Sequence, residues 1–306
     1  MDLRQLAAVG AIADHGSFSA AARALHTVQS NVSAHVARLE RELGVSLVDR
    51  STGRLTDSGD VVAARARRIG AELEALTADI ASATSQVSGA VRLGMIGSTG
   101  RWLVVPLLRA MAERHPAVHV VVVDASTTSL RPQLVQGRLD LSVVNLPVRD
   151  PELEVEALFV EDRVLVVPTG HPLAAAREVQ IADLGGHPLI LEPVGTGFRD
   201  DLDEDAARAG VALEAMAEVD GINLIANLAF EGFGPAILPT SAVPRRNSAA
   251  WRRVTVRGLT PRSVGVATRR RALLAAPARA LRDVLRDVVA SEGRHHPGLR
   301  LAVPAA

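Results

Sequence analysis

Residues 17–50 read SFSAAARALHTVQSNVSAHVARLERELGVSLVDR, and no other stretch restricts the fold so tightly. Val32, Val36, Leu39 and Leu43 recur at spacings of four, three and four, which sets them on one stripe of an α-helix. Gln29, Ser30, Asn31, Ser33, His35 and Arg38 crowd the other side with side chains that donate and accept hydrogen bonds. Such a helix buries one face and offers the other to a polar partner. The major groove of B-form DNA admits an α-helix and presents base edges of that chemistry.

The flanks complete a small helical unit over residues 1–57. Leu3, Leu6, Val9, Ile12 and Ala13 predict a first amphipathic helix that Gly16 breaks, and Ser19 is the expected N-cap of a short helix through Leu25. Leu25, His26 and Thr27 form a corner, and Gly44 suits the left-handed position that ends a helix. Residues 46–48 and 54–56 read as two short strands around a Ser51-Thr52-Gly53 turn, the outline of a wing. Six arginines against five acids precede residue 57, so binding should depend on geometry and pairing more than on bulk charge.

From residue 58 to 88 the pattern becomes a long helix. Val62, Ala66, Ile69, Leu73, Leu76, Ile80, Ala83 and Val87 alternate by four and three, a heptad seam between charged flanks, and it predicts pairing with a second copy. After Gly89 strands and helices alternate. Strands are expected at 91–96, 118–123 and 139–144 and helices at 102–115 and 130–136, pointing to a mostly parallel sheet. A similar unit runs from Arg163 to Pro239. A strand at 263–268 and a helix at 276–290 follow, and residues 292–306 read as a poorly ordered tail.

Composition removes whole classes of chemistry. With no cysteine there is no disulfide framework and no thiolate metal site. All 34 basic residues are arginine; a Walker A loop and a pyridoxal Schiff base both need the lysine that is missing. The segment from Gly94 to Gly100 has glycines but no lysine, Gly195-Thr196-Gly197 lacks the third glycine of a dinucleotide loop, and no Gly-x-Ser-x-Gly elbow occurs. The acidic run of residues 200–205 reads as a solvated helix face and the pair His295-His296 as part of the tail, binding nothing, and no cofactor or enzymatic activity is expected. No apolar run reaches the ~18 residues of a membrane span, and the N-terminus is not secretory in pattern, so a cytoplasmic protein is expected.

The chain resembles the LysR-type transcriptional regulators over about residues 1–290. The resemblance rests on the opening MDLRQL, on GSFSAAARALH, QSNVSAHVARLERELGVSLVDR and LTDSG, and further on QGRLDLSV, HPLA and GFGPAILP. It implies an N-terminal winged helix-turn-helix, a dimerising linker helix, and an effector-binding region (89–306) like a periplasmic binding protein, with two α/β subdomains. Subdomain I would take residues 89–161 and 268–290, and subdomain II residues 162–267. Val28 stands where a capping serine is common in the family, leaving Thr27 as the candidate cap.

These readings nominate three sets of residues. Gln29, Ser30, Asn31, Ser33 and His35 would meet bases or phosphates of operator DNA, with Arg38, Arg50 and Arg54 as phosphate clamps. Ser98, Thr99, Ser126, Thr127, Thr128, Asn145, Thr196 and Phe198 lie beyond strand ends, where such sheets bind ligands, and their hydroxyls would suit a small oxyanion. Val62, Ala66, Ile69, Leu73, Leu76 and Ile80 would hold a dimer or tetramer. A second basic set, Arg245, Arg246, Arg252, Arg253, Arg269, Arg270 and Arg271, reads as a solvated face. The expected protein is a ligand-responsive transcription factor that also engages RNA polymerase. The competing reading is a solute-binding module whose helical N-terminus docks a protein.

Overall fold

The computed structural model describes residues 1–302 apart from Ser85, Arg245, Asn247 and Arg271, and only the backbone of Ala83 and Thr84. Two compact units emerge, one of residues 1–81 with 136–138 and one of the remainder.

In the first unit, α1 (Leu3–His15) opens on a capping box: Asp2 Oδ1 accepts from the Gln5 amide at 2.9 Å, and the Gln5 side chain accepts from the Asp2 amide at 2.7 Å. Gly16, at φ 73°, turns the chain within one residue. The next helix α2 (Phe18–Ala24) therefore starts at once, capped by Ser17 rather than by Ser19 as expected; the Ser17 hydroxyl accepts from the Ala20 amide at 3.2 Å. A corner with His26 at φ 52° leads to α3 (Gln29–Leu43). Val32, Val36 and Leu39 are fully buried against Leu6, Val9, Ile12, Ala21 and Leu47, whereas Leu43 lies past the edge of this core and is exposed. The predicted wing is reduced to a single antiparallel bridge, Val48 to Leu55.

The linker helix α4 (Asp57–Thr84) divides the predicted seam in two. Ala63 and Ala66 are buried in the core of the helical unit and Val62 packs against it. Val62 and Ala66 are thus committed within the protomer. Ile69, Leu73, Leu76 and Ile80 remain 39, 42, 60 and 63% exposed. Val87 lies beyond the end of the helix, and the Ala83 side chain lies outside the described residues.

The second unit begins with β1 (Gly89–Met95), α5 (Gly97–Arg114), β2 (Val118–Asp124), α6 (Thr127–Val135) and β3 (Leu141–Leu146). Then β4 (Leu153–Glu161) ends subdomain I for the moment. Subdomain II contains β5 (Arg163–Pro168), β6 (Glu178–Gln180), β7 (Leu189–Leu191), α7 (Gly197–Arg208), β8 (Ala215–Glu218), α8 (Ile222–Phe230), β9 (Ala236–Pro239) and β10 (Trp251–Arg257). The chain returns through β11 (Arg262–Arg269), α9 (Ala276–Glu292) and β12 (Leu299–Leu301).

Subdomain I is a six-stranded sheet in the order β12-β4-β11-β3-β1-β2; subdomain II has a four-stranded sheet, β6-β10-β5-β9, and the pair β7-β8. Only β1, β2 and β3 form the parallel sheet that was expected of subdomain I. The strands β4, β11 and β12 join antiparallel, because the chain passes between subdomains there instead of crossing back through a helix. The return falls between Arg257 and Arg262, earlier than residue 268, since Arg262, Val264 and Val266 already alternate inward in the six-stranded sheet. Within the described residues the tail is structured rather than poorly ordered: β12 pairs with β4, and the His296 ring packs at a tilt on Trp102 with ring centroids 4.8 Å apart. Residues 303–306 lie outside the described residues.

Candidate DNA interface and effector cleft

On α3 the buried stripe turns the polar face outward. Gln29, Ser30, Asn31 and Arg38 are exposed, and Ser33 and His35 are half-buried on the same helix. Val28 is the N-cap and makes no side-chain capping bond. Thr27 does not replace it: its hydroxyl accepts instead from the Asn31 side-chain nitrogen Nδ2 at 2.9 Å, tying the helix start to the corner. Glu40, in the last turn of α3, accepts from the backbone amides of Leu47 and Val48 at 2.8 and 3.2 Å and from Arg50 at 3.3 Å. Arg50 pairs with Glu40 beside the wing yet stays exposed, as Arg38 and Arg54 are.

The rival basic set is dispersed. Arg252 donates to the carbonyls of Ser248 and Trp251, Arg269 to those of Leu134 and Leu139, and Arg270 to that of Leu153. These arginines fasten loops in two different sheets; Arg245 and Arg271 lie outside the described residues. The acids of α7 are likewise engaged. Asp201 pairs with Arg163 at 2.8 Å and Asp203 with Arg199 at 2.8 Å, while Asp205 accepts from the Thr260 amide at 2.8 Å. Among the described residues no group of three or more His, Asp or Glu is placed to hold a metal ion.

Between subdomains I and II lies a cavity of about 360 Å³. Ser98, Ser126, Thr127, Thr128, Asn145, Thr196 and Phe198 line it, seven of the eight nominated residues. Thr99 does not. Both Ser98 and Thr99 are fully buried, but successive helix residues point about 100° apart, so Ser98 in the first turn of α5 borders the cleft beside Arg262 while Thr99 does not. The Asn145 amide donates to the Thr127 hydroxyl at 3.0 Å, fixing two strand-end loops together. Arg163, itself buried, lies over the Phe198 ring at 5.0 Å from its centroid. Burial pushes the Arg163 guanidinium down from its ordinary range, against the opposing pull of Asp201 and Asp205.

Sequence reasoning missed Asp124, Glu192, Asp220, Asn223 and Arg262, which border the same cavity. Arg262 Nε donates to Glu161 at 2.7 Å, Nη1 to Asn145 Oδ1 at 3.2 Å and Nη2 to Ser98 Oγ at 2.8 Å. Desolvation raises the Glu192 carboxyl above its ordinary value, and partial desolvation does the same to Asp124. One signal for Arg262 was readable: it alternates in phase with buried Val264 and Val266, and a charge in that position calls for a buried partner.

A helix offering its polar face from a helix-turn-helix, joined to a two-lobed cleft, defines a ligand-responsive DNA-binding transcriptional regulator. The chain belongs to the LysR family: residues 3–60 match the bacterial regulatory helix-turn-helix protein, lysR family, and residues 84–290 match the LysR substrate binding domain. A relative from Streptomyces viridosporus, named a probable hydrogen peroxide-inducible genes activator, is 34% identical over 298 residues, covering 94% of this chain and 95% of its own. Full-length OxyR from Pseudomonas aeruginosa, in a cysteine-to-aspartate form, superposes with a TM-score of 0.77 at 24% identity over 99% of both chains. The LysR-family regulator CbnR in complex with its target DNA gives a TM-score of 0.68 at 23% identity, over 94% of this chain and 100% of that one. These two structures share the fold. Among the described residues no helix is long and apolar enough to cross a membrane.

Proposed function

We propose that two or four copies assemble through Ile69, Leu73, Leu76 and Ile80, present paired α3 helices to two operator half-sites, and alter that pairing when a small molecule enters the cleft. The observation that carries this reading is the exposed polar face of α3 over a fully buried stripe. Gln29, Ser30, Asn31, Ser33 and His35 would read bases, with Arg38 and Arg54 on phosphates and Arg50 shared between phosphate and Glu40. A ligand shifts the subdomains only to the extent that it binds one arrangement better than another. The regulator would act in the cytoplasm and engage RNA polymerase from the bound operator.

The Streptomyces relative's name raises a peroxide response. Reversible thiol oxidation requires a cysteine, and none of the 306 residues is one. The cleft is therefore read as a site of reversible ligand binding. The test is a gel shift with the DNA upstream of the chain's own gene. Specific retardation should be lost in the Gln29→Ala/Ser33→Ala/His35→Ala variant. Binding of a small molecule with no preference for that DNA over competitor would favour a protein-docking module instead.

A further inference from the structure

The polar groups around the cleft are unbalanced in charge. Asp124 borders it from subdomain I, and Glu192 and Asp220 border it from subdomain II. Arg262 is the one basic residue among the described residues that line it, and its guanidinium is already spent on Glu161, Asn145 and Ser98. Glu192 is more than nine-tenths buried, and among the described residues no cation pairs with it; burial outweighs the opposing influence of Thr196, whose hydroxyl donates to the Pro193 carbonyl at 3.0 Å, and Arg262 is the weakest of the influences on it.

One further feature asks for a donor, and another shows how closely the two subdomains approach at the cleft. Asn223 Oδ1 is buried beside the cleft and accepts no hydrogen bond from the described residues. A methyl group added to Gly97 would lie 3.0 Å from Asp124 Oδ1 and 2.7 Å from Asn223 Nδ2. A carboxylate of one subdomain and an amide of the other thus converge over the same glycine. Bringing an anion among these carboxylates adds repulsion in a partly dry site, whereas a cationic donor neutralises them and satisfies the free acceptor.

We infer that the cleft selects a small organic amine bearing further amino or hydroxyl groups, its ammonium held by Glu192 together with Asp124 or Asp220. Its remaining donors meet Asn223 and the hydroxyls of Ser126 and Thr127. A cavity of about 360 Å³ suits a molecule of diamine or amino-sugar size. This rests on the reading of the cleft as the effector site and names the chemistry of its ligand.

The test uses the full chain and matched probes: putrescine against succinate, and glucosamine against gluconate, by calorimetry and thermal unfolding, with the gel shift run in parallel. The amines should bind and raise the melting temperature while the acids do not. Glu192→Gln and, independently, the more exposed Asp124→Asn should each weaken amine binding by at least about tenfold and still retard DNA. An acid that binds more tightly than its amine counterpart overturns the inference. So does failure of both amines to bind, or undiminished amine binding in both variants. Loss of specific DNA retardation by the unaltered chain would count against the regulator reading alone, because the binding measurements stand without it.

Discussion

Glu161 and Arg262 face each other on the strands by which the chain leaves and re-enters subdomain I, and their side chains pair in the interior at 0 and 3% exposure. Glu161 also accepts from the Ser241 amide of subdomain II at 3.1 Å, while Arg262 reaches Ser98 and Asn145 at the cleft. One ion pair thus touches both crossings and the ligand site. A ligand that displaces Ser98 or Asn145 from Arg262 acts on the hinge directly.

Removing one partner of that pair leaves a charge buried alone. Arg262→Met should destabilise the chain by ~3–5 kcal/mol, and adding Glu161→Gln to it should recover part of the loss. Urea unfolding of the two variants reads the difference; a single variant with the parent's midpoint would show that the pair holds nothing.

The start of α3 has an uncapped position to improve. Val28 is exposed, extended at φ −95° and ψ 151°, and makes no side-chain bond to the helix. Val28→Ser should raise the stability of the helical unit by about 1 kcal/mol, seen as a higher melting temperature. No gain would mean that the free N–H groups at the helix start take nothing from a hydroxyl at position 28.

The exposed half of the linker seam gives a clean separation of assembly from folding. Leu73→Glu/Leu76→Glu should yield monomers in sedimentation, since both side chains are left exposed within the protomer. Melting of the isolated protomer should change by no more than about 0.5 kcal/mol. Val62→Glu should do the reverse and damage the helical unit, because Val62 packs on its core.

Glu192 predicts a pH dependence with a definite sign. Its folded carboxyl titrates above the ordinary 4.5 because burial penalises the charged form. The folded chain therefore holds a proton that the unfolded chain has lost, and stability declines as pH rises from 4.5 through the raised folded value. Below 4.5 this contribution is fully present; above the folded value it is gone. Glu192→Gln should flatten that segment of the stability profile relative to the parent, leaving the similar influence of Asp201 in place. An unchanged difference across the window would place Glu192 in water.

The sequence carried the helical unit well because its signals are local. The stripe of Val32, Val36 and Leu39 needs only helical spacing, and Gly16 needs only its own conformation. Spacing could not separate Val62 and Ala66 from Leu73 and Leu76, which share one seam but meet different surroundings. In the cleft, hydroxyls after strand ends were legible from position, yet Thr99 failed by one residue of helix rotation. Glu192, Asp220 and Asn223 come from distant elements, so only the fold assembles them beside Asp124. The strand of the tail is three residues long, too short for an alternation to register.

That short strand decides where the chain can be cut. The LysR substrate binding domain match ends at residue 290, before β12. Beyond that point Gly298 accepts from the Asp162 amide at 2.8 Å and Arg300 bonds the Asp162 carboxylate at 2.8 Å, at the first crossing itself. A fragment trimmed to residue 290 would bare the outer edge of β4 and free the residue that joins the two sheets. Unpaired backbone along such an edge recruits strands from other molecules. Solubility of the isolated effector domain is thus expected to depend on the three residues of β12.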